Sequence, residues 1–222
     1  MTSDWTPSAR RLGIASAWGV VALSAVYVAT GVMWLVAGDH PHGVAGLDPG
    51  EPYLSVLEWL LVITAPLMVL VMVAVVAYAG REGKAHALAA LSFMLVASLM
   101  TCGIHFARLT VVRRLPPADA AAFASLVSFR WPAVAFTLDL LAWDLFLGLA
   151  LLFAAPVFRA GRERGVRGAL NLAGGLCVAG LGGPASGNLR VQLLAIAGYA
   201  FVFPITCVLL ARHFARRAPD QA

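Results

Sequence analysis

Five ionisable residues lie inside long apolar stretches of this chain: Glu58, His105, Arg108, Asp139 and Asp144. An ionisable side chain in such a stretch costs at least a few kcal/mol to place in hydrocarbon, so it faces protein or a water-filled hollow and is a functional candidate by default. Their types suit proton handling. An imidazole changes charge near neutral pH, and a carboxyl group in apolar surroundings can keep its proton and donate it. Glu58, His105, Asp139 and Asp144 are therefore the candidate acid–base residues. Arg108 is the candidate to hold an anionic group or to compensate a carboxylate.

Spacing adds a second layer. On the third apolar stretch Ser98, Thr101, Cys102, His105 and Arg108 recur every three or four residues, which draws a polar stripe along one helical face. On the fourth, Asp139 shares a face with Phe136, Trp143 and Phe146, whereas Asp144 lies about 140° further round. Thr101, Cys102, Phe136 and Trp143 join Arg108 as candidate ligand-binding residues. At about 1.5 Å of rise per residue, Glu58 and Asp139 sit roughly 9–10 Å from the starts of their spans and His105 about as far from the end of its own, all on the outer side, with Asp144 near the midplane. Three stretches thus place ionisable groups in one layer. Each has a purely structural reading beside the functional one: an ion pair with Arg108 that locks helices, a histidine satisfied by Thr101 or a carboxylate, an aspartate that accepts from an indole.

The elements that must position these groups are membrane spans. Of 222 residues, 61 % are apolar and 12 % charged, and the mean hydropathy is +0.85. A soluble domain carries roughly twice that share of charge. Five stretches meet the ~20 apolar residues that a spanning helix needs: 12–37, 54–79, 85–112, 132–158 and 191–210. A sixth, 168–183, is shorter and glycine-rich. Gly175, Ala179 and Gly183 put a small residue at every fourth position there, suited to close packing within the chain or to a homodimer through this span. The expected fold is all-α: one polytopic bundle over 1–222 with six transmembrane helices, or five if 168–183 does not cross. A short helix over 118–129, with Asp119 near its start, is expected to lie in the interface.

Orientation follows from basic residues. With the N-terminus in the cytoplasm, eleven of the sixteen Lys and Arg residues fall inside and five outside (Arg108, Arg113, Arg114, Arg130 and Arg190). Both termini are then cytoplasmic, in a multi-pass protein of the cell membrane. Trp34, Tyr53, Trp59, Phe129 and Trp131 fall at the outer ends, as an aromatic belt requires. Fifteen arginines against the single Lys84 suit a GC-rich bacterial genome.

Several chemistries find no support. There is no room for a basic nucleic-acid-binding face. The three cysteines fall in apolar runs and form no disulfide framework. Asp39-His40-Pro41-His42 and the Cys102/His105 pair fall short of a metal ligand set. Phosphate-loop, zinc-protease and nucleophile-elbow motifs are missing. The one lysine lies in a loop, so none is available at membrane depth for a retinal Schiff base. No cofactor and no metal is expected. Pro66 and Pro204 interrupt the second and last spans and invite kinks.

Ala142-Trp143-Asp144, the Leu-Phe-Leu-Gly-Leu that follows it, Gly187-Asn188-Leu189-Arg190 and Gly198-Tyr199-Ala200 resemble stretches of small six-span bacterial integral membrane proteins. That resemblance covers the C-terminal half best. It implies a six-helix fold without an activity, and it puts Trp143, Asp144, Asn188, Arg190 and Tyr199 in the group's pattern. The expected function is an outward-facing polar cavity within the membrane that binds a small or lipid-like ligand, with membrane lipids as its surroundings. The alternatives are a membrane-embedded enzyme using buried carboxylates on a prenyl or lipid substrate, a small proton-coupled transporter, and a scaffold without ligand.

Overall fold

A computed structural model describes residues 5–36, 52–128, 131–159, 161 and 163–217. Six helices are long and apolar enough to cross a membrane: α1 (Pro7–Val36), α2 (Tyr53–Tyr78), α3 (Lys84–Thr110), α4 (Val134–Val157), α5 (Arg164–Ser186) and α6 (Leu189–Arg216). No strand occurs among the described residues, so the chain is an all-α bundle of membrane type. The stretch expected to be short, 168–183, belongs to a longer helix. α5 begins at Arg164, because the arginines of its first turns sit at the end of the span and shorten only its apolar part. The expected interfacial helix is two shorter pieces, Pro117–Ala122 with Asp119 in its first turn, and Ala124–Val127. The loop carrying Asp39, His40, His42, Asp48 and Glu51 lies outside the described residues, as do Phe129, Arg130 and Arg162.

Each helix packs on its sequence neighbour, and α6 closes against α1, so the six form a ring in chain order. In hydrocarbon the backbone must satisfy itself, which is why these stretches are helical. Their hydroxyls follow the same rule: Ser16, Thr30, Thr64, Ser92, Thr110, Thr137 and Thr206 each donate to the carbonyl four residues back. Between α5 and α6 the chain turns through Gly187, whose φ of 72° is left-handed, and Asn188 accepts from the Arg190 N–H to cap α6.

Both prolines are accommodated by local devices. Pro66 leaves the Val62 carbonyl without its helical donor, and Cys102 on α3 donates its thiol to that oxygen at 3.6 Å. This is the resatisfaction by a neighbouring helix that lets membrane helices carry proline. Ahead of Pro204, α6 widens into a π-helical turn over Ala197–Val202. A second π turn, Leu141–Phe146, interrupts α4 with no proline nearby.

Helix α5 is drawn close to α4 and α6 by glycines. A Cβ on Gly174 would lie 2.7 Å from the Gly148 carbonyl oxygen, and one on Gly180 2.3 Å from the Ala195 Cβ. Of the stripe expected to pack, Gly183 does so, a Cβ there lying 2.7 Å from the Gln192 backbone nitrogen, whereas Gly175 has nothing within 4 Å. At the end where the chain termini meet, Arg10 donates to the Phe214 and Ala215 carbonyls. Glu163 there accepts from Tyr78, from the Arg159 N–H and from Arg217. Burial alone would raise the Glu163 carboxyl; those three donors outweigh it and hold it below the usual range. The opposite end, where α2, α4 and α6 begin, is the distal end.

Candidate functional site

The polar stripe of α3 faces inward: Thr101, His105 and Arg108 are all buried. At its distal end His105, 1 % exposed, lies between two carboxylates. Its Nδ1 is 2.5 Å from Glu58 Oε2 on α2, and its Nε2 is 3.1 Å from Asp139 Oδ1 on α4. Arg108, one turn further along α3, donates to the other Glu58 oxygen, Oε1, at 3.1 Å. The Trp143 indole donates to Asp139 Oδ1 at 3.1 Å. The shared depth of Glu58, His105 and Asp139 read from spacing is therefore a contact, across three helices.

Each imidazole–carboxylate contact needs one hydrogen. The three groups Glu58, His105 and Asp139 accordingly hold two protons between them, either both on the imidazole or one on it and one on a carboxyl. In both arrangements the cluster sums to zero charge once Arg108 is included. Balance of this kind is what makes a buried ionic group tolerable. Arg108 therefore compensates Glu58 here.

Beside this cluster is a cavity of about 210 Å³. His105, Asp139, Phe136 and Trp143 line it; Glu58 and Arg108 stand behind His105 and do not. Its other polar wall groups are Ser24 and Tyr27 on α1, Thr64 on α2, and Gln192 and Tyr199 on α6. The Thr64 hydroxyl is already engaged by Leu60 O. The remaining wall is aliphatic or aromatic, with Leu23, Leu61, Leu140 and Ile196 among its members. Helix α5 contributes nothing to it. Toward the chain termini Met68 and Phe203 line the space, and both belong to the apolar core that includes the fully buried Met72, Met94, Leu147, Leu151 and Cys207.

The cavity also has a side. The substantial packing of α1 on α6 is with the Phe203–Arg216 half of α6. In the distal half the two helices flank the cavity instead, α1 with Ser24, Tyr27 and Val28 and α6 with Ile196, Tyr199 and Ala200. Val28 and Ile196 are both more than a third exposed.

Not every expected residue joins the cluster. Cys102 holds the Val62 carbonyl and does not pair with His105. Thr101 is buried on α3 but does not line the cavity. Phe146 leaves the Asp139 face and stacks on Phe93, ring centres 6.5 Å apart. Asp144 is wholly buried behind the cavity wall, where its Oδ1 accepts from Gln192 Nε2 at 3.2 Å. Among the described residues no group of three or more His, Cys, Asp and Glu is arranged to hold a metal ion.

Sequence reasoning missed Tyr27 and Gln192. The available signal was composition within the spans: Gln192 is the single glutamine inside a span, and Tyr27 the single tyrosine of the first. Compared with known proteins, the chain matches no family model, no curated protein and no solved structure.

Proposed function

We propose that this integral membrane protein takes a small amphipathic ligand from the bilayer into its distal cavity. The observation that carries the reading is the cavity itself, a mainly apolar hollow with the His105–Asp139 contact on one wall. Concave, mostly apolar sites with a few convergent polar groups are the usual form of small-molecule sites. An engineered cavity of ~150 Å³ accommodates benzene, so this one suits a group of roughly eight non-hydrogen atoms. A longer apolar chain would extend between α1 and α6 into lipid.

Charge selects the ligand's polar end. The Glu58–His105–Asp139–Arg108 cluster is already balanced, so a formal anion or cation in the cavity would be uncompensated. A hydroxyl or carbonyl suits the Tyr27, Tyr199 and Ser24 hydroxyls and the open face of Asp139. The packed apolar floor favours binding over passage from one side to the other. With the orientation that arginine and lysine favour, the cavity lies in the outer leaflet of the cell membrane.

A catalytic reading has one specific support. Asp139 lines the cavity with His105 hydrogen-bonded to it and Glu58 behind that, so the Asp139 carboxylate is the group that meets a ligand and His105 the one that relays its proton. Ligand turnover that disappears in His105→Gln while binding persists would favour it.

Photolabelling tests the binding reading. A medium-chain fatty alcohol carrying a diazirine, offered to the protein in nanodiscs, should label α1 and α6 residues around Tyr27 and Tyr199. Ser24→Trp, which fills the cavity from α1, should abolish that label. Labelling spread evenly over lipid-facing surfaces and indifferent to Ser24→Trp would overturn the proposal.

A further inference from the structure

Asp144 and Gln192 form a second polar site, distinct from the Glu58–His105–Asp139 cluster, and its atoms do not balance as they stand. Both residues are buried, Asp144 with no exposed surface and Gln192 with 4 %. One bond joins them, Gln192 Nε2 to Asp144 Oδ1 at 3.2 Å. The other polar atom of each side chain, Asp144 Oδ2 and Gln192 Oε1, is an acceptor, and neither has a donor. Two unmatched acceptors on two side chains already in contact point to a missing hydrogen rather than to a missing residue.

One proton settles both. A protonated carboxyl and a primary amide are complementary along two edges: amide N–H to carboxyl C=O, and carboxyl O–H to amide C=O. The first edge is the bond already present, and the second joins the two orphaned oxygens. Exchanging the amide's oxygen and nitrogen leads to the same ring with the two carboxyl oxygens interchanged, so the conclusion does not depend on that assignment. We propose that Asp144 carries a proton on its unbonded oxygen and donates it to the Gln192 carbonyl, making an acid–amide pair that stores one proton directly behind the cavity wall.

The surroundings agree. Helices α3 and α5 pack on the π-helical turn that carries Asp144, and α6 reaches it through Gln192 and Tyr199. The ionisable groups nearest to it are Asp139 on its own helix, Cys177 on α5 and Tyr199 on α6. None of these is a cation. The basic groups of the inward stripe of α3 are engaged elsewhere, His105 by Glu58 and Asp139 and Arg108 by Glu58, and Lys84 at the far end of that helix donates to the Val76 carbonyl. An ionised Asp144 would have no ion-pair partner among the described residues.

Position gives the store a use. Gln192 lines the cavity and Asp144 does not, so the amide stands between the stored proton and whatever occupies the hollow. A ligand hydroxyl or carbonyl that draws the Gln192 side chain toward itself would break the ring and open the Asp144 proton to the cavity. The π turns fall where such a movement would pivot: α4 widens at Leu141–Phe146 and α6 at Ala197–Val202, and the two meet through Trp143 and Tyr199, ring centres 5.3 Å apart. The protonated pair itself is independent of the cavity's having a ligand.

Infrared spectroscopy of the full chain in nanodiscs at neutral pH tests the pair. A protonated carboxyl should give a carbonyl stretch that shifts in D₂O, disappears in Asp144→Asn, and moves to higher frequency in Gln192→Leu, where the acceptor is gone. Thermal melts give a readout without spectroscopy. The amide introduced by Asp144→Asn would supply both a donor and an acceptor to Gln192, so Asp144→Asn should melt with the native protein while Asp144→Leu melts several degrees lower. No Asp144-dependent carboxyl band, whether or not sodium is present, would mean an ionised Asp144 held by water or a cation, and would overturn the proposal. So would an Asp144→Asn protein as unstable as Asp144→Leu, or a band unmoved by Gln192→Leu.

Discussion

Removing Arg108 should cost far more than removing Arg108 and Glu58 together would suggest if their losses simply added. In the native cluster four side chains of zero net charge are linked through contacts of 3.1, 2.5 and 3.1 Å, from Arg108 to Glu58, His105 and Asp139. Arg108→Gln leaves the remainder one charge out of balance in a site where Arg108 and Glu58 are only 8 % and 4 % exposed. Breaking one side of a buried ion pair costs about 3–5 kcal/mol. Glu58→Gln leaves Arg108 uncompensated at a similar cost. The double variant Glu58→Gln/Arg108→Gln keeps the balanced His105–Asp139 pair, so it should cost about as much as one single change. The coupling energy is then about 3 kcal/mol. For a chain of this size 1 kcal/mol moves the melting temperature by about 2–4 °C. Each single variant should therefore melt roughly 10 °C below the native protein in detergent, with the double variant no lower than the singles. Strictly additive losses, with the double variant lowest of all, would refute the reasoning that these four side chains form one balanced unit.

Cys102→Ala should cost about 1 kcal/mol by leaving the Val62 carbonyl bare, and should be silent in a Pro66→Ala background, where the backbone N–H restored by that change takes over the carbonyl; thermal melts of the four proteins check it. Gly174→Ala puts a methyl group 2.7 Å from the Gly148 carbonyl oxygen and should cost about 1–3 kcal/mol. Gly175→Ala, with open space around it, should be neutral in the same melts. At the terminal end, the Glu163 carboxyl is held below its usual range in the folded protein. Its contribution to stability is therefore present above the unfolded value of about 4.3 and is lost as pH falls through the lower folded value. Melting temperature should drop on acidification below about pH 4, and Glu163→Gln should flatten that part of the profile.

Much of the architecture was legible because lipid imposes a simple rule: about 20 apolar residues per span, with every backbone group satisfied inside the helix. The layer shared by Glu58, His105 and Asp139 was legible for a related reason. Helical rise converts residue number to depth, and an ionisable group in an apolar run cannot be overlooked. Rotation about the helix axis is less readable. Asp139 and Asp144 were correctly separated by angle, but the π-helical turn between them has no mark in the sequence. Neutral polar residues raise no alarm, so Gln192 and Tyr27 passed unnoticed although they complete the two sites. The glycines of α5 lie on several faces at once. Only the position of Gly148, Ala195 and Gln192 on neighbouring helices decides that Gly174, Gly180 and Gly183 are packed and Gly175 is not.

A density map of the full chain in lipid nanodiscs, at a resolution that shows individual side chains, tests the central claim most directly. A ligand site of the proposed kind predicts non-protein density between Tyr27, His105, Asp139 and Tyr199, with a polar end toward Asp139 and a tail leaving between α1 and α6. A hollow closed by those same side chains packed against one another, with α1 and α6 in contact along their distal halves, would contradict it.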